Sequence, residues 1–284
     1  MMTIETCFGP CEVHLDGPEA GPAVHQEHGV LVDRTVWDGV VPGLAAEHRV
    51  IRPDLPLGAH TLAARDRDAL HPEGIADALV DVLDGLGVAQ ATVVGSDTGG
   101  AIAQVLAARH PDRVAALVLL SSDALDHFPP TVLKPVVPLL RLAAFVDLMG
   151  RLYRIPRVRR SWIGAGLLLN HPIDDTVIAP WFTKVGTNRQ ARHDMAAFLR
   201  RCRPALAHAA ADGLEERPVP LLLAWSAGDR LFPESDAEEL HRRIAGSELE
   251  LIEGVRTFSQ VDRPDAVLAL VLPFLARTGA RSRT

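Results

Sequence analysis

The run Val93-Val94-Gly95-Ser96-Asp97-Thr98-Gly99-Gly100 reads as an apolar strand entering a sharp, glycine-flanked turn that opens a helix over Ala101 to Arg109. Glycines belong at 95 and 99 because strand and helix backbones come too close there for side chains. The tip residue is pushed out at the carboxyl edge of the sheet, and it is Asp97. A carboxylate in that place can attack carbon to form a covalent ester, or it can move protons. Three further groups bear functional side chains: His28-Gly29 after a strand, Asp229 at the end of Trp225-Ser226-Ala227-Gly228-Asp229, and Phe258 with Asp262 and Pro264 near the end.

The elements needed to hold these residues alternate as a parallel sheet requires. Val50-Ile51 leads to a loop at Pro53 to His60, then Pro72 to Leu86 carries Ile75, Leu79, Val82, Leu83 and Leu86 on one helical face. Proline in its first turn supports the start. Val114 to Leu120 is almost wholly apolar, the pattern of a strand covered on both faces. The theme repeats in strand Val219 to Trp225, helix Glu234 to Ile244, strand Leu249 to Ile252 and helix Asp265 to Leu275. Between about Asp123 and Pro218 the pattern is helical only and broken by prolines, which predicts an inserted lid. The expected organisation is an α/β core domain of residues 1–122 and 218–284 with a helical cap of residues 123–217.

Composition limits the function classes. The 284 residues are 48% apolar and 23% charged, enough for one large core or a core with a small satellite. A net charge of −7 argues against nucleic acid as the main partner. Cys7, Cys11 and Cys202 form no metal spacing; an odd count fits a reduced, cytoplasmic setting and buried, hydrophobe-like thiols. No basic-then-apolar leader and no apolar run of bilayer length are present, so no membrane partner is expected. No motif implies a metal or an organic cofactor. The expected partner is a small-molecule substrate, and the expected state a monomer or homodimer.

Over essentially its whole length the chain resembles the α/β-hydrolase superfamily. His28-Gly29 is similar to the oxyanion-loop motif, Gly95 to Gly100 to the nucleophile elbow, and Asp229 with Pro233 to the acid-bearing turn. Phe258, Asp262 and Pro264 resemble the His-Phe-x-x-x-Glu-x-Pro segment, and the order nucleophile, acid, histidine is the one this fold uses. An aspartate at the tip resembles the haloalkane dehalogenase and epoxide hydrolase branches. The resemblance implies a mostly parallel sheet with a helical cap, an oxyanion site at the N–H groups of Val30 and Thr98, and Asp229 as the acid that orients a histidine.

The pattern departs from those branches at the histidine, whose position falls on Thr257. Threonine takes no proton near pH 7, so an ester on Asp97 would lack its usual water-activating base. Thr98 stands where dehalogenases commonly carry a halide-binding tryptophan. Epoxide hydrolases commonly use two lid tyrosines, whereas this chain has one, Tyr153, and Leu31 replaces the usual proline of the oxyanion motif. His28 is the nearest substitute base by motif position, although a histidine there usually packs within its loop; His127 and His193 are others. Asp123, after the strand ending at Ser122, is a second candidate acid, with a turn role as the default.

Other features have competing readings. His25 and Glu27 share one face of the strand before His28, so they should pair with each other or with another buried group. Arg151, Arg154, Arg157, Arg159 and Arg160 could draw an anionic or carrier-linked substrate, or form a solvated lid face. Of the lid aromatics Trp162, Trp181, Phe182 and Phe198, Trp181 and Phe182 are the better pocket candidates. Three functions remain. The preferred one is an enzyme in which Asp97, desolvated and with a raised pKa, works as a general acid or base in a non-hydrolytic elimination, isomerisation or cyclisation of a small, largely apolar molecule. The alternatives are a hydrolase of an ester, epoxide or carbon–halogen bond with a relocated histidine, and a non-catalytic binder.

Overall fold

A computed structural model describes residues 1–171 and 174–281. The strands are β1 (Met2–Thr6), β2 (Gly9–Asp16), β3 (Ala23–Glu27), β4 (Arg49–Pro53), β5 (Ala91–Asp97), β6 (Val114–Ser122), β7 (Leu221–Ser226) and β8 (Glu248–Ile252). They form one sheet in the order β1-β2-β4-β3-β5-β6-β7-β8. The pairs β1–β2 and β2–β4 are antiparallel, and every pair from β4 to β8 is parallel. The main helices are α1 (Pro72–Gly85), α2 (Thr98–Arg109), α3 (Ala143–Leu152), α4 (Asp175–Thr187), α5 (Arg189–Leu199), α6 (Pro204–Glu216), α7 (Glu234–Arg243) and α8 (Pro264–Arg281).

β6 shows why the central strands read as unbroken apolar runs. Leu117 and Leu119 enter the core on one face with Ile75, Leu79 and Ile102, while Ala116, Val118 and Leu120 enter the core on the other with Val267, Val271 and Phe274. Both faces are covered by helices, so neither face has a reason to be polar. α1 begins as its sequence requires: His71 Nδ1 accepts the Gly74 N–H at 3.1 Å, and Pro72 fills the first turn, where no N–H is needed.

The described residues between β6 and β7 are helical, as the proline-broken pattern predicts. They do not form a core of their own. Met195 and Phe198 of α5 join the core on the α1 side of the sheet, and Trp181 and Phe182 of α4 join the opposite one. Polar ties reinforce this: Asp194 accepts from Arg67 Nε at 2.5 Å and the Ala64 N–H at 2.9 Å, and Lys184 reaches Asp33 at 2.6 Å.

The hairpin β1–β2 was not expected, because Met2 to Asp16 mixes polar and apolar residues without a turn dipeptide. Its turn needs Gly9, which has a φ of +117°. The hairpin leaves Cys7 exposed, a correction to the expectation of three buried thiols; Cys11 and Cys202 are buried.

The turn between β5 and α2 brings backbones into close approach. A Cβ on Gly95 would stand 2.6 Å from Gly100 Cα, and one on Gly99 would overlap the Glu27 carbonyl and stand 2.6 Å from that of His28. Backbone cannot yield as a flexible side chain can. We therefore predict that Gly99→Ala lowers unfolding stability by more than about 2 kcal/mol in urea titration, whereas Gly87→Ala, with open space around it, costs less than half as much despite its φ of +65°.

Candidate active site

Asp97 ends β5 with φ +56° and ψ −136°, outside the regions an L-residue favours. Such backbone persists only where the surroundings impose it, here the close passage of Gly95, Gly99 and Gly100. The side chain is half-buried. A Cβ on Gly29 would collide with the Asp97 carboxylate, so the loop after β3 also lies directly over the tip. Leu31 in that loop has φ +67° and is held by its N–H to the Leu57 carbonyl at 3.0 Å.

The backbone N–H groups of Thr98 and Val30 face the Asp97 carboxylate and favour its anion. The two groups expected from the motif thus converge on Asp97 itself. Burial nonetheless dominates and, with repulsion from Asp229, pushes its pKa up to about 7.

Asp123 faces Asp97 across one hydroxyl. Thr98 Oγ1 donates to Asp123 Oδ2 at 2.8 Å, with Asp97 Oδ1 on its other side at 3.4 Å. The register explains this meeting. Gly95 opposes Leu119 but Asp97 opposes Ser122, so two steps along β5 span three along β6 and Asp123 is drawn beside Thr98. Asp123 is 1% exposed, its Oδ1 has no hydrogen-bond partner among the described residues, and burial followed by the Asp97 charge raises its pKa well above the carboxylate range.

Asp229 follows β7. Its Oδ1 accepts the Leu231 N–H at 2.8 Å, the Phe232 N–H at 3.2 Å and the Thr257 hydroxyl at 3.1 Å. Thr257 is fully buried in the loop after β8, so structure and sequence agree in bringing 229 and 257 together. Burial still raises the Asp229 pKa against those donors.

Two expectations need correction. His28 is not placed to act as a base: Nδ1 bonds the Gly29 carbonyl at 2.9 Å, and Nε2 accepts the Leu55 N–H at 2.9 Å. That arrangement fixes a neutral ring bracing the loop, and burial lowers its pKa to about 4. Trp181 and Phe182 pack rather than meet Asp97. Trp181 donates to Thr35 Oγ1 at 2.7 Å and lies edge-on to Phe258 at 6.1 Å, and Phe182 stacks tilted on Tyr153 at 4.6 Å. Their solvent-free environment follows from joining helix α4 to the sheet domain.

His127 and His25 are also engaged, whereas the buried Nε2 of His193 has no hydrogen-bond partner among the described residues. His127 Nδ1 bonds Asp236 at 2.8 Å, and His25 pairs directly with Glu27, both fully buried. No imidazole is hydrogen-bonded to Asp97 among the described residues. The Tyr153 hydroxyl donates to the Ile163 carbonyl at 2.8 Å. In the arginine-rich segment, Arg159 and Arg160 both hold Asp175, and Arg154 donates to the Gly186 carbonyl at 2.8 Å. Three of those five arginines are therefore fastened within the segment.

The carboxylate pair beside Thr98 is the feature that sequence reasoning missed, although Asp123 itself was a candidate. The signal lay in Thr98, whose hydroxyl reaches both neighbours.

The α/β hydrolase fold family model matches residues 22–264. The chain belongs to the α/β-hydrolase family. It is 28% identical over 265 residues to a pimeloyl-[acyl-carrier protein] methyl ester esterase of Neisseria meningitidis, covering 91% of this chain and 78% of that one. A stretch of 122 residues is 45% identical to 2-hydroxymuconate semialdehyde hydrolase of a Pseudomonas species, covering 42% of each chain. Among solved structures, the haloalkane dehalogenase of Bradyrhizobium elkani superposes with a TM-score of 0.81 at 19% identity, covering 99% of this chain and 98% of that one. The enol-lactonase of Burkholderia xenovorans does so with a TM-score of 0.77 at 20% identity, covering 97% and 100%. At such identities the superpositions establish the fold. Among the described residues no helix is long and apolar enough to cross a membrane, and no cluster of three metal-binding side chains occurs.

The raised Asp97 pKa has a stability consequence. Its ordinary value is 3.8 and its folded value about 7, so the folded state binds a proton more tightly than the unfolded one. Stability therefore falls as pH rises from about 4 to 7, and the deficit persists above. We predict that Asp97→Asn stabilises the protein at pH 8 by on the order of 2 kcal/mol and has no effect at pH 3.5, measured by urea unfolding at the two pH values.

Proposed function

We propose that this protein is a hydrolase of a small, largely apolar molecule, cleaving the carbon–oxygen bond of an epoxide or the alkyl–oxygen bond of an ester through a covalent ester on Asp97. The observation that carries the reading is the Asp97 carboxylate itself, set at the strained tip of the turn and steadied by the N–H groups of Val30 and Thr98. Donors in that position favour the negative oxygen that forms when water adds to the ester carbon. Similarity to hydrolases that act on a methyl ester and on 2-hydroxymuconate semialdehyde supports hydrolysis over elimination or isomerisation. Thr98, in place of the halide-binding tryptophan of the resembling branch, favours oxygen over halide as the departing atom.

Attack requires the ionised form of Asp97. Burial pushes its pKa up to about 7, so the competent form grows as pH rises through neutrality, and desolvation makes that carboxylate a stronger nucleophile than one in water. The helical segment from 123 to 217 acts as the lid over the substrate.

A second reading is favoured by Thr257. It occupies the place of the catalytic histidine in the resembling families, and Asp229 is engaged with its hydroxyl. On that reading Asp97 exchanges protons with the substrate and never forms an ester.

The two are separated by turning the protein over, in excess over substrate, in ¹⁸O-labelled water with a panel of aryl epoxides and short-chain esters. Covalent hydrolysis places the label in the Asp97 side chain, read by mass spectrometry of the peptide holding residues 91–109. We expect that label, a turnover rate that rises with pH through about 7, and a loss of at least 1,000-fold in Asp97→Asn. Product formation with an unlabelled Asp97 would transfer the assignment to the proton-transfer reading.

A further inference from the structure

Half-buried Asp97 and fully buried Asp123 lie on either side of one hydroxyl, and no salt bridge from a cation reaches either among the described residues. The groups facing this pair come from every surrounding element. Asp229 approaches from the end of β7 and raises the Asp97 pKa; Asp236 approaches from α7 and raises that of Asp123. His127 is paired with Asp236 at 2.8 Å. The Cys202 thiol, after α5, is pushed up by burial and by Asp123, with Arg141 opposing. Two negative charges separated by one hydroxyl in such surroundings repel strongly. Asp123 Oδ1 adds an independent sign, since a buried carboxyl oxygen without a partner is costly as an anion and far less so as an acid.

We propose that Asp97, Thr98 and Asp123 form one proton-holding unit: Asp97 is the reacting carboxylate, and Asp123 stores a single proton that the Thr98 hydroxyl passes to and from the reaction. This rests on the hydrolytic reading above and supplies the base that reading lacks. Asp123 acts through Thr98 and is a positioning residue; Asp97 and Thr98 are the groups that meet substrate.

The chemistry balances over two steps. In the first, Asp97 attacks carbon, and the carbon–oxygen bond breaks with its electron pair left on oxygen. That oxygen takes the Thr98 hydroxyl proton as Thr98 takes the proton of Asp123. Asp97 is then a neutral ester and Asp123 an anion, so the unit keeps one negative charge throughout. Neutralising Asp97 removes the repulsion that had held the proton on Asp123. In the second step, water adds to the ester carbon while its proton passes through Thr98 back to Asp123. The negative oxygen so formed rests on the N–H groups of Val30 and Thr98. The ester bond then breaks, its alkoxide takes the proton of the added hydroxyl, and Asp97 is a carboxylate again beside a protonated Asp123.

The test begins with a measurement that needs no substrate. In protein labelled with ¹³C at the aspartate carboxyls, the Asp97 and Asp123 resonances, assigned with Asp97→Asn and Asp123→Asn, are followed from pH 4 to 11. Coupling predicts that each signal moves in two steps, the lower near 7, and that Asp123→Asn removes the upper step from Asp97. Thr98→Val raises the lower midpoint and Thr98→Ser restores it; this pair serves should Asp123→Asn not fold. Single-step titration of both carboxyls, with Asp97 unaffected by either change, overturns the proposal.

A second arm follows ester breakdown. Asp123→Asn should form the Asp97 ester more slowly, for want of the stored proton, and hydrolyse the ester once formed at least 100-fold more slowly, read by following its decay. Ester breakdown at the wild-type rate in Asp123→Asn would also overturn the unit. Two-step titration with no ester in the wild-type protein would instead leave the unit standing and remove the covalent reading.

Discussion

The close approach of two backbones at the end of β5 is the constraint on which the site depends. Strand and helix meet there with Gly95, Gly99 and Gly100 in contact with backbone or with Ser122, and the chain can pass only if Asp97 takes a positive φ. The carboxylate projects because its backbone is forced. The same crowding brings the loop of Gly29 and Val30 down onto the tip, so positioning the acid and supplying donors to it are one event.

That geometry creates an electrostatic difficulty. Asp97, Asp123 and Asp229 converge at the carboxyl ends of β5, β6 and β7, and each is raised by burial before any other cause. Several cations are engaged away from them: Lys184 holds Asp33, Arg192 holds Asp147, and Arg159 holds Asp175. Hydroxyl and N–H dipoles from Thr98, Thr257, Val30, Leu231 and Phe232 carry the compensation instead. Fixed dipoles stabilise a charge less than a cation does, and the shifted pKa values follow. A carboxylate that is uncomfortable as an anion is a better nucleophile and a better base, which is how destabilisation at this edge serves chemistry.

The helical segment from 123 to 217 is fastened to the sheet domain through both cores and through buried polar ties. Trp181 on Thr35, Lys184 on Asp33, and Asp194 on Arg67 and Ala64 join it to the loops after β3 and β4. Those loops include the stretch that covers Asp97. Displacing the segment would therefore disturb the loop that carries Val30.

The sequence by itself determined the strand–turn–helix with its aspartate, the alternation of strands and helices, the proline-broken helical insertion and the meeting of 229 with 257. Each was legible because it rests on local chemistry: glycine where backbones touch, apolar runs where both faces are covered, and turn residues at strand ends. What the tertiary structure decided were the pairings. That His28 is locked by Leu55 and Gly29, that Trp181 and Phe182 are packing residues, and that Asp123 shares a hydroxyl with Asp97 depend on contacts between segments or on strand register. A shift of one residue between β5 and β6 would carry Asp123 away from Thr98, and no local pattern specifies that register. The type of a side chain is written in the sequence; the company it keeps is set by packing.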